Sequence, residues 1–184
     1  MHNISKGNLN IIAYNIALAN FNGKSKLNIN QSEGTNSFLD TNCEHSEIFG
    51  NLLKKEDQII VKCRTLDAFT EENKIENIDI LKLDLQGYEI KAIEGTSNLL
   101  EKEKVGVILC EIIFEDIYKG QTDPFDLIKC LLDKYSFSFF NLYQEVYYRG
   151  KLLQADAIFI HKSKLNAIRS NCENIFHCHS KFLL

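Results

Sequence analysis

Glycine is sparse and scattered in this chain. Its nine glycines come no closer together than Gly87 and Gly95, so no glycine-rich turn can bring backbone against a nucleoside or a phosphate. Cationic residues are not in excess: 21 Lys and Arg face 25 Asp and Glu, giving a net charge of -4 and a pI near 5.8. That balance lacks the electrostatic footprint of a nucleic-acid-binding protein. No apolar run approaches the roughly 20 residues that span a bilayer, and no membrane association is expected. The opening MHNISKGNLN has no apolar core of a secretory signal, and a cytoplasmic location is the default expectation. The six cysteines lack the paired short spacings of a zinc site and the density of a secreted scaffold. Cys63, Cys110 and Cys130 fall inside expected strands and a helix, where a reduced thiol behaves as a small apolar group. Cys172, His177, Cys178 and His179 fit no standard zinc module, so no metal site is expected.

What is present suits a single domain over residues 1–184 with a real core. Ile11 to Leu18 reads as a strand. Asn22-Gly23 is a hairpin signal before a second short strand near Lys26 to Ile29. Gln31 to Lys55 is a polar loop with room for one helical turn, anchored by Phe38, Leu39, Phe49 and Leu52. Gln58 to Arg64 alternates as a strand, and Leu66 to Glu72 is a short helix capped by Thr65 or Asp67. VGVILCEII, from Val105 to Ile113, is apolar enough for a strand buried on both faces. Asp123 and Pro124, the single proline, open a further helix. Phe137 to Leu142 and Ala155 to His161 close the fold as strands, with a turn at Gly150.

The centre of the chain is IDILKLDLQGYEIKAIEG, from Ile78 to Gly95. A short apolar strand ends at Asp84, Gly87 breaks it, and helical spacing begins at Tyr88. A strand, turn and helix of this kind is the unit of a parallel α/β sheet, whose ligands bind beyond the carboxyl ends of the strands. Thr65, Leu66, Asp67, Ile78, Asp79, Lys82, Asp84, Gln86, Gly87, Glu89 and Gly95 stand in the order and spacing of the FkbM-type methyltransferases. The chain resembles that family, a branch of the class I S-adenosylmethionine-dependent enzymes, from about Ile11 to His161. The resemblance implies a mostly parallel, Rossmann-like α/β sheet flanked by helices, with antiparallel strands at the C-terminal end. It also implies methyl transfer from S-adenosylmethionine, most plausibly to oxygen of a sugar or another small-molecule acceptor.

Family members grip the cofactor mainly through a glycine-rich turn after the first strand and an acidic residue after the second. Neither has a counterpart upstream of Ile11. The chain therefore reads as a family domain incomplete at its N-terminal side, and little cofactor binding is expected from it alone. The strand ending at Asp84 would lose its neighbour and expose an apolar edge. The Ile11 strand could fill that place, a second chain could complete the sheet, or the segment could fold poorly. A non-catalytic remnant that binds a partner is the alternative to an enzyme.

Several constellations could carry chemistry. Lys82 and Asp84 share a strand face, and Glu111 ends the neighbouring strand about 4.8 Å away. Two carboxylates so close raise one another's pKa unless a cation, Lys82 or a metal, lies between them. One could act as the base for an acceptor hydroxyl; alternatively Lys82 and Glu111 form a buried structural ion pair. Gln86, Tyr88 and Glu89 at the turn are candidate substrate contacts, although Glu89 also suits the first turn of a helix. The family more often carries Glu at the Gln86 position, and a neutral amide there weakens the case for a metal. By resemblance the end of the first strand, Asn15 to Leu18, lies near the cofactor's adenine, with Ala17 and Leu18 as candidate contacts, although apolar packing explains Ile16 and Leu18 equally well. The aromatic run from Tyr135 to Tyr148 reads as core, with Tyr147 and Tyr148 near an acceptor pocket as the alternative.

Overall fold

The computed structural model describes residues 2–4, 11–42 and 46–165. Strands β1 (His2–Ile4) and β2 (Ile11–Ala13) pair antiparallel. A three-stranded sheet has the order β3 (Ala17–Leu18), β5 (Lys55–Arg64), β4 (Gly23–Asn30). A four-stranded sheet has the order β6 (Ile78–Leu83), β7 (Val105–Ile113), β9 (Lys151–His161), β8 (Phe137–Tyr148). Helices α1 (Ser46–Phe49), α2 (Leu66–Asn73), α3 (Glu89–Glu94), α4 (Ser97–Glu101) and α5 (Pro124–Lys129) connect them. None of the described helices is long and apolar enough to cross a membrane.

The fold is α/β, but the sheets are mixed rather than mostly parallel. β6 and β7 run parallel, as do β3 and β5. The remaining ladders are antiparallel; in the four-stranded sheet this follows because β9 returns from the Arg149-Gly150 turn into the place between β7 and β8. Strand direction depends on where a distant segment docks, which local periodicity does not encode.

Other expectations need correction. Ile11 to Leu18 is two short strands, parted where Ile16 bonds back to the Tyr14 carbonyl and the Tyr14 ring meets Phe69 edge-on. Asn22-Gly23 closes no hairpin: β4 pairs across the long loop with β5, and the Asn22 side chain accepts a bond from the Thr65 N–H. In that loop the buried anchor is Leu53, packed with Leu39, Phe49, Ile113, Ile117 and Tyr118, while Leu52 is exposed. The helix expected after Tyr88 is two helices. Of the aromatic run, Tyr135 and Phe137 are core, whereas Phe139, Phe140, Tyr143 and Tyr147 are exposed. The cysteine and histidine cluster at 172–179 lies outside the described residues.

Side chains alternate across the four-stranded sheet. One face, with Leu81, Leu83, Ile108, Cys110, Ala157 and Phe159, is buried against Ala92, Ile93, Leu100, Leu127 and Leu131 of the helical layer. The opposite face carries Ile80, Lys82, Leu109, Glu111 and Asp156; it is open at Ile80, 66% exposed, but covered at the end of β7, where Glu111 is buried and Ile113 packs with Leu53, Ile117 and Tyr118. Helices thus clad one side of this sheet among the described residues. β6 lies at its edge with β7 as its ladder partner, and the Ile11 strand pairs with β1 instead of moving beside it.

Side-chain caps start three of the helices. Thr65 caps α2 by accepting from the Ala68 N–H at 3.2 Å. Asp123 caps α5 by accepting from Phe125 and Asp126, with Pro124 at the first position, where no donor is lost. Asp67 lies in α2, yet its two carboxylate oxygens accept the N–H groups of Asn98 and Leu99, at 2.9 and 3.0 Å, in the first turn of α4. It caps a helix 31 residues away. Asp67→Ala is expected to cost about 1–2 kcal/mol, because two donors lose a charged acceptor. A lower urea midpoint with an unchanged denaturant slope would report it.

Candidate functional site

The site lies at the carboxyl ends of β6 and β7. In register, Leu83 faces Cys110, so the next residues, Asp84 and Glu111, come together on the face of the sheet turned away from the helices. The turn that follows is unusual backbone. Gln86 has φ 52 and Gly87 φ 90, both in the left-handed region, which a side-chain-bearing residue enters at a cost. Surrounding bonds hold it there. The Ser37 hydroxyl donates to the Gln86 carbonyl at 2.8 Å. The Thr122 N–H and hydroxyl both donate to the Gly87 carbonyl, at 2.7 and 2.8 Å. A Cβ on Gly87 would lie 2.8 Å from the Gln121 Cβ, so the close approach itself calls for glycine.

The two carboxylates are treated differently. Asp84 is accessible, its side chain 42% exposed, and pairs with the Lys82 ammonium at 2.9 Å. That contact, followed by the Asp84 charge, holds the Lys82 pKa above its usual range. The expected alternative, a buried Lys82–Glu111 pair, is therefore not what forms: Lys82 is exposed and its ammonium donates a hydrogen bond to Asp84. Glu111 is buried, at 7% exposure. It receives amides, from Gln86 Nε2 to Oε2 at 2.7 Å and from Gln154 Nε2 to Oε1 at 3.1 Å. The same Gln86 Nε2 donates to Asp84 Oδ1 at 3.1 Å, so one amide bridges both carboxylates. Tyr118 orients that amide: its hydroxyl lies 2.8 Å from Gln86 Oε1 and 3.1 Å from the Thr35 carbonyl, one proton with two acceptors in reach. Burial pushes the Tyr118 phenol well above its usual range, so it is a neutral donor.

Burial, then the charges of Asp84, Glu89 and Asp156, push the Glu111 carboxyl up to about 8. Glu89 is 2% exposed and folded back on the turn, where its Oε1 accepts the N–H groups of Leu85 at 2.9 Å and Gly87 at 3.2 Å. Burial raises it to about 7 despite those bonds. It braces the turn and offers little surface to a ligand. Tyr88 is half-buried, its ring 5.0 Å from that of Phe38.

These two raised carboxyls make stability depend on pH. Folded, they hold protons more tightly than in the unfolded chain, where a carboxyl titrates near 4.5. Their contribution is complete below that value and is lost as pH rises through about 7 and 8. We expect stability in urea denaturation to fall by several kcal/mol between pH 5 and 8, a fall reduced by roughly half in Glu111→Gln.

Ala17 and Leu18 are not brought to this cluster by any bond. They pair in parallel with Cys63 and Arg64, and Leu18 packs on the main core. Among the described residues no group of three or more His, Cys, Asp or Glu is arranged to hold a metal ion. A groove of about 740 Å³ lies elsewhere, lined by Thr65, Asp67, Asn98 and Lys104 among others. The Lys104 carbonyl binds the first N–H of β6, so this groove sits one strand length, roughly 20 Å, from Asp84.

Sequence reasoning missed Tyr118, Gln154 and Asp156. A signal for the last two exists: Gln154 and Asp156 alternate with Leu153, Ala155 and Ala157 in an otherwise apolar strand, which puts both on one face. In register Asp156 lies opposite Glu111.

A family model described as the methyltransferase FkbM domain matches residues 2–139, which include Asp84, Gln86, Glu111 and Tyr118 and stop short of Gln154. No curated protein and no solved structure matches the chain.

Proposed function

The chain belongs to the FkbM methyltransferase domain family, and on that premise we propose that it serves methyl transfer from S-adenosylmethionine to a hydroxyl oxygen of a sugar or another small metabolite. The observation that supports this reading is the carboxylate pair, one exposed and one buried, bridged by the Gln86 amide at the rim of two parallel strands.

Asp84 is the group an acceptor can reach. In this reading it accepts a hydrogen bond from the acceptor hydroxyl and takes its proton as oxygen becomes a nucleophile. Lys82 fixes one oxygen of Asp84 and Gln86 the other, which sets the direction in which the carboxylate presents a lone pair. Glu111 stands behind as a second proton site whose pKa lies near neutrality. Gln86 aligns the two, Glu89 keeps the turn rigid, and Tyr88 with Phe38 forms an aromatic wall beside the long loop. The exposed Asp84 carboxylate suits a cationic cofactor, because it attracts a sulfonium, whereas Glu111, its carboxyl raised to about 8, is largely protonated near neutrality. When bound, S-adenosylmethionine supplies an electrophilic methyl group, and the residues' remaining task is alignment.

The test joins calorimetry with S-adenosylmethionine, or its demethylated product, to transfer of labelled methyl onto a panel of hydroxylated acceptors. Label on an acceptor is expected, with only weak heat of cofactor binding by this chain alone, since it has no glycine-rich turn to grip the nucleoside. Neither heat nor label would sink the reading and leave a non-catalytic binding module.

A further inference from the structure

Among the described residues, no ion pair forms on Glu111. Lys82, whose ammonium feels the Glu111 charge, is bound to Asp84. Each Glu111 oxygen instead accepts one side-chain amide, Oε2 from Gln86 and Oε1 from Gln154. The two amides differ in how they are held. Gln86 is fixed from outside, by Tyr118 on its side chain and Ser37 on its carbonyl, and it divides its N–H groups between two carboxylates. Gln154 belongs to β9, opposite Ile113 of β7 and Val146 of β8, and reaches Glu111 across the strand pair. A carboxylate gripped at one oxygen can still pivot about its final bond; gripped at both, its plane is fixed.

We propose that Gln154 is a positioning residue for this site: with Gln86 it holds Glu111 by both oxygens, fixing the carboxylate against Asp84 in the form that can take up a proton. This rests on reading the Asp84–Glu111 pair as the proton-handling centre. The titratable groups that act on Glu111 are Lys82 and Asp84 from β6 and its end, Glu89 from α3, Tyr118 beyond β7 and Asp156 from β9, with Cys110 next to it on β7 but on the opposite face of the sheet. Of these, Asp84, Glu89 and Asp156 oppose ionisation of Glu111 by like charge. An amide donor favours ionisation. Removing Gln154 and removing the Asp156 charge must therefore move Glu111 in opposite directions, which a merely structural role for β9 would not do.

The test is an NMR titration of the Glu111 side-chain carboxyl in the full chain without cofactor. In Gln154→Met, of similar volume and without a donor, the midpoint is expected to rise by about one pH unit. In Asp156→Asn it is expected to fall. Should Gln154→Met fail to fold, Gln154→Asn keeps the polarity but falls short of Glu111, and the same rise is expected. A midpoint unmoved in a folded Gln154 variant overturns the proposal. Where methyl transfer is measurable, the pH profile of kcat should move with the midpoint. Absence of methyl transfer in every protein would instead defeat the proposed function, with the titration still deciding the role of Gln154.

Discussion

Asp84→Asn is expected to lower kcat/KM for methyl transfer by about 10²–10⁴-fold, the usual worth of a positioned acid–base group. The substitution keeps the shape and can still accept from Lys82, but it cannot take a proton. Because Asp84 and Lys82 are both substantially exposed, loss of their ion pair should change stability by no more than ~0.5 kcal/mol. The signature is an activity loss without a shift of the thermal midpoint. Most of the loss should fall on kcat, since the proton moves in the transition state. If Asp84→Asn keeps full activity while Glu111→Gln abolishes it, the base is Glu111 and the roles assigned to the pair are exchanged.

Gly95→Ala is expected to be the most destabilising single methyl that can be added to the described glycines. Its backbone, at φ -77 and ψ 2, is open to any residue, so conformation is not the obstacle. Space is. A Cβ there would run into the Ala19 carbonyl oxygen and lie 3.1 Å from its carbon and 3.2 Å from the Asn20 Cα. All three are backbone atoms that cannot swing away. Gly95 also gives its carbonyl to the Asp67 N–H at 3.1 Å, so the end of β3, the start of α2 and the α3–α4 junction meet on this residue. We expect a loss of about 3 kcal/mol or more. Gly34, with nothing within 4 Å of a built Cβ, is the control: Gly34→Ala should be neutral or stabilising by up to ~1 kcal/mol. Equal effects at the two positions would refute the packing argument.

Much of the site could be read from local sequence because its parts are neighbours along the chain. Lys82, Asp84, Gln86 and Glu89 follow a strand, a break and a helix, and the break is marked by Gly87. Asp123 and Pro124 declared a helix start for the same reason. Tyr118 gave no such sign: its role arises from where the segment after β7 folds back on Gln86. Asp67 misled in a subtler way, since a carboxylate early in a helix suggests its own cap, and its partners lie in another helix. The direction of β9 was equally hidden. A strand pattern names its buried face but not its neighbour, and insertion between β7 and β8 follows from the turn at Gly150 and the packing of Phe159. Gly95 appeared as part of a motif, while its reason, a carbonyl from Ala19 pressed against it, belongs to three dimensions.

Asp84 sits at the tip of β6, the border strand of its sheet, whereas Glu111 sits on β7, flanked on both sides. Border strands open more readily than interior ones, so amide protons of β6 should exchange with deuterated solvent well before those of β7. Each such opening would carry one carboxylate away from the other. The working geometry of the pair is therefore only as durable as the weakest ladder in the sheet.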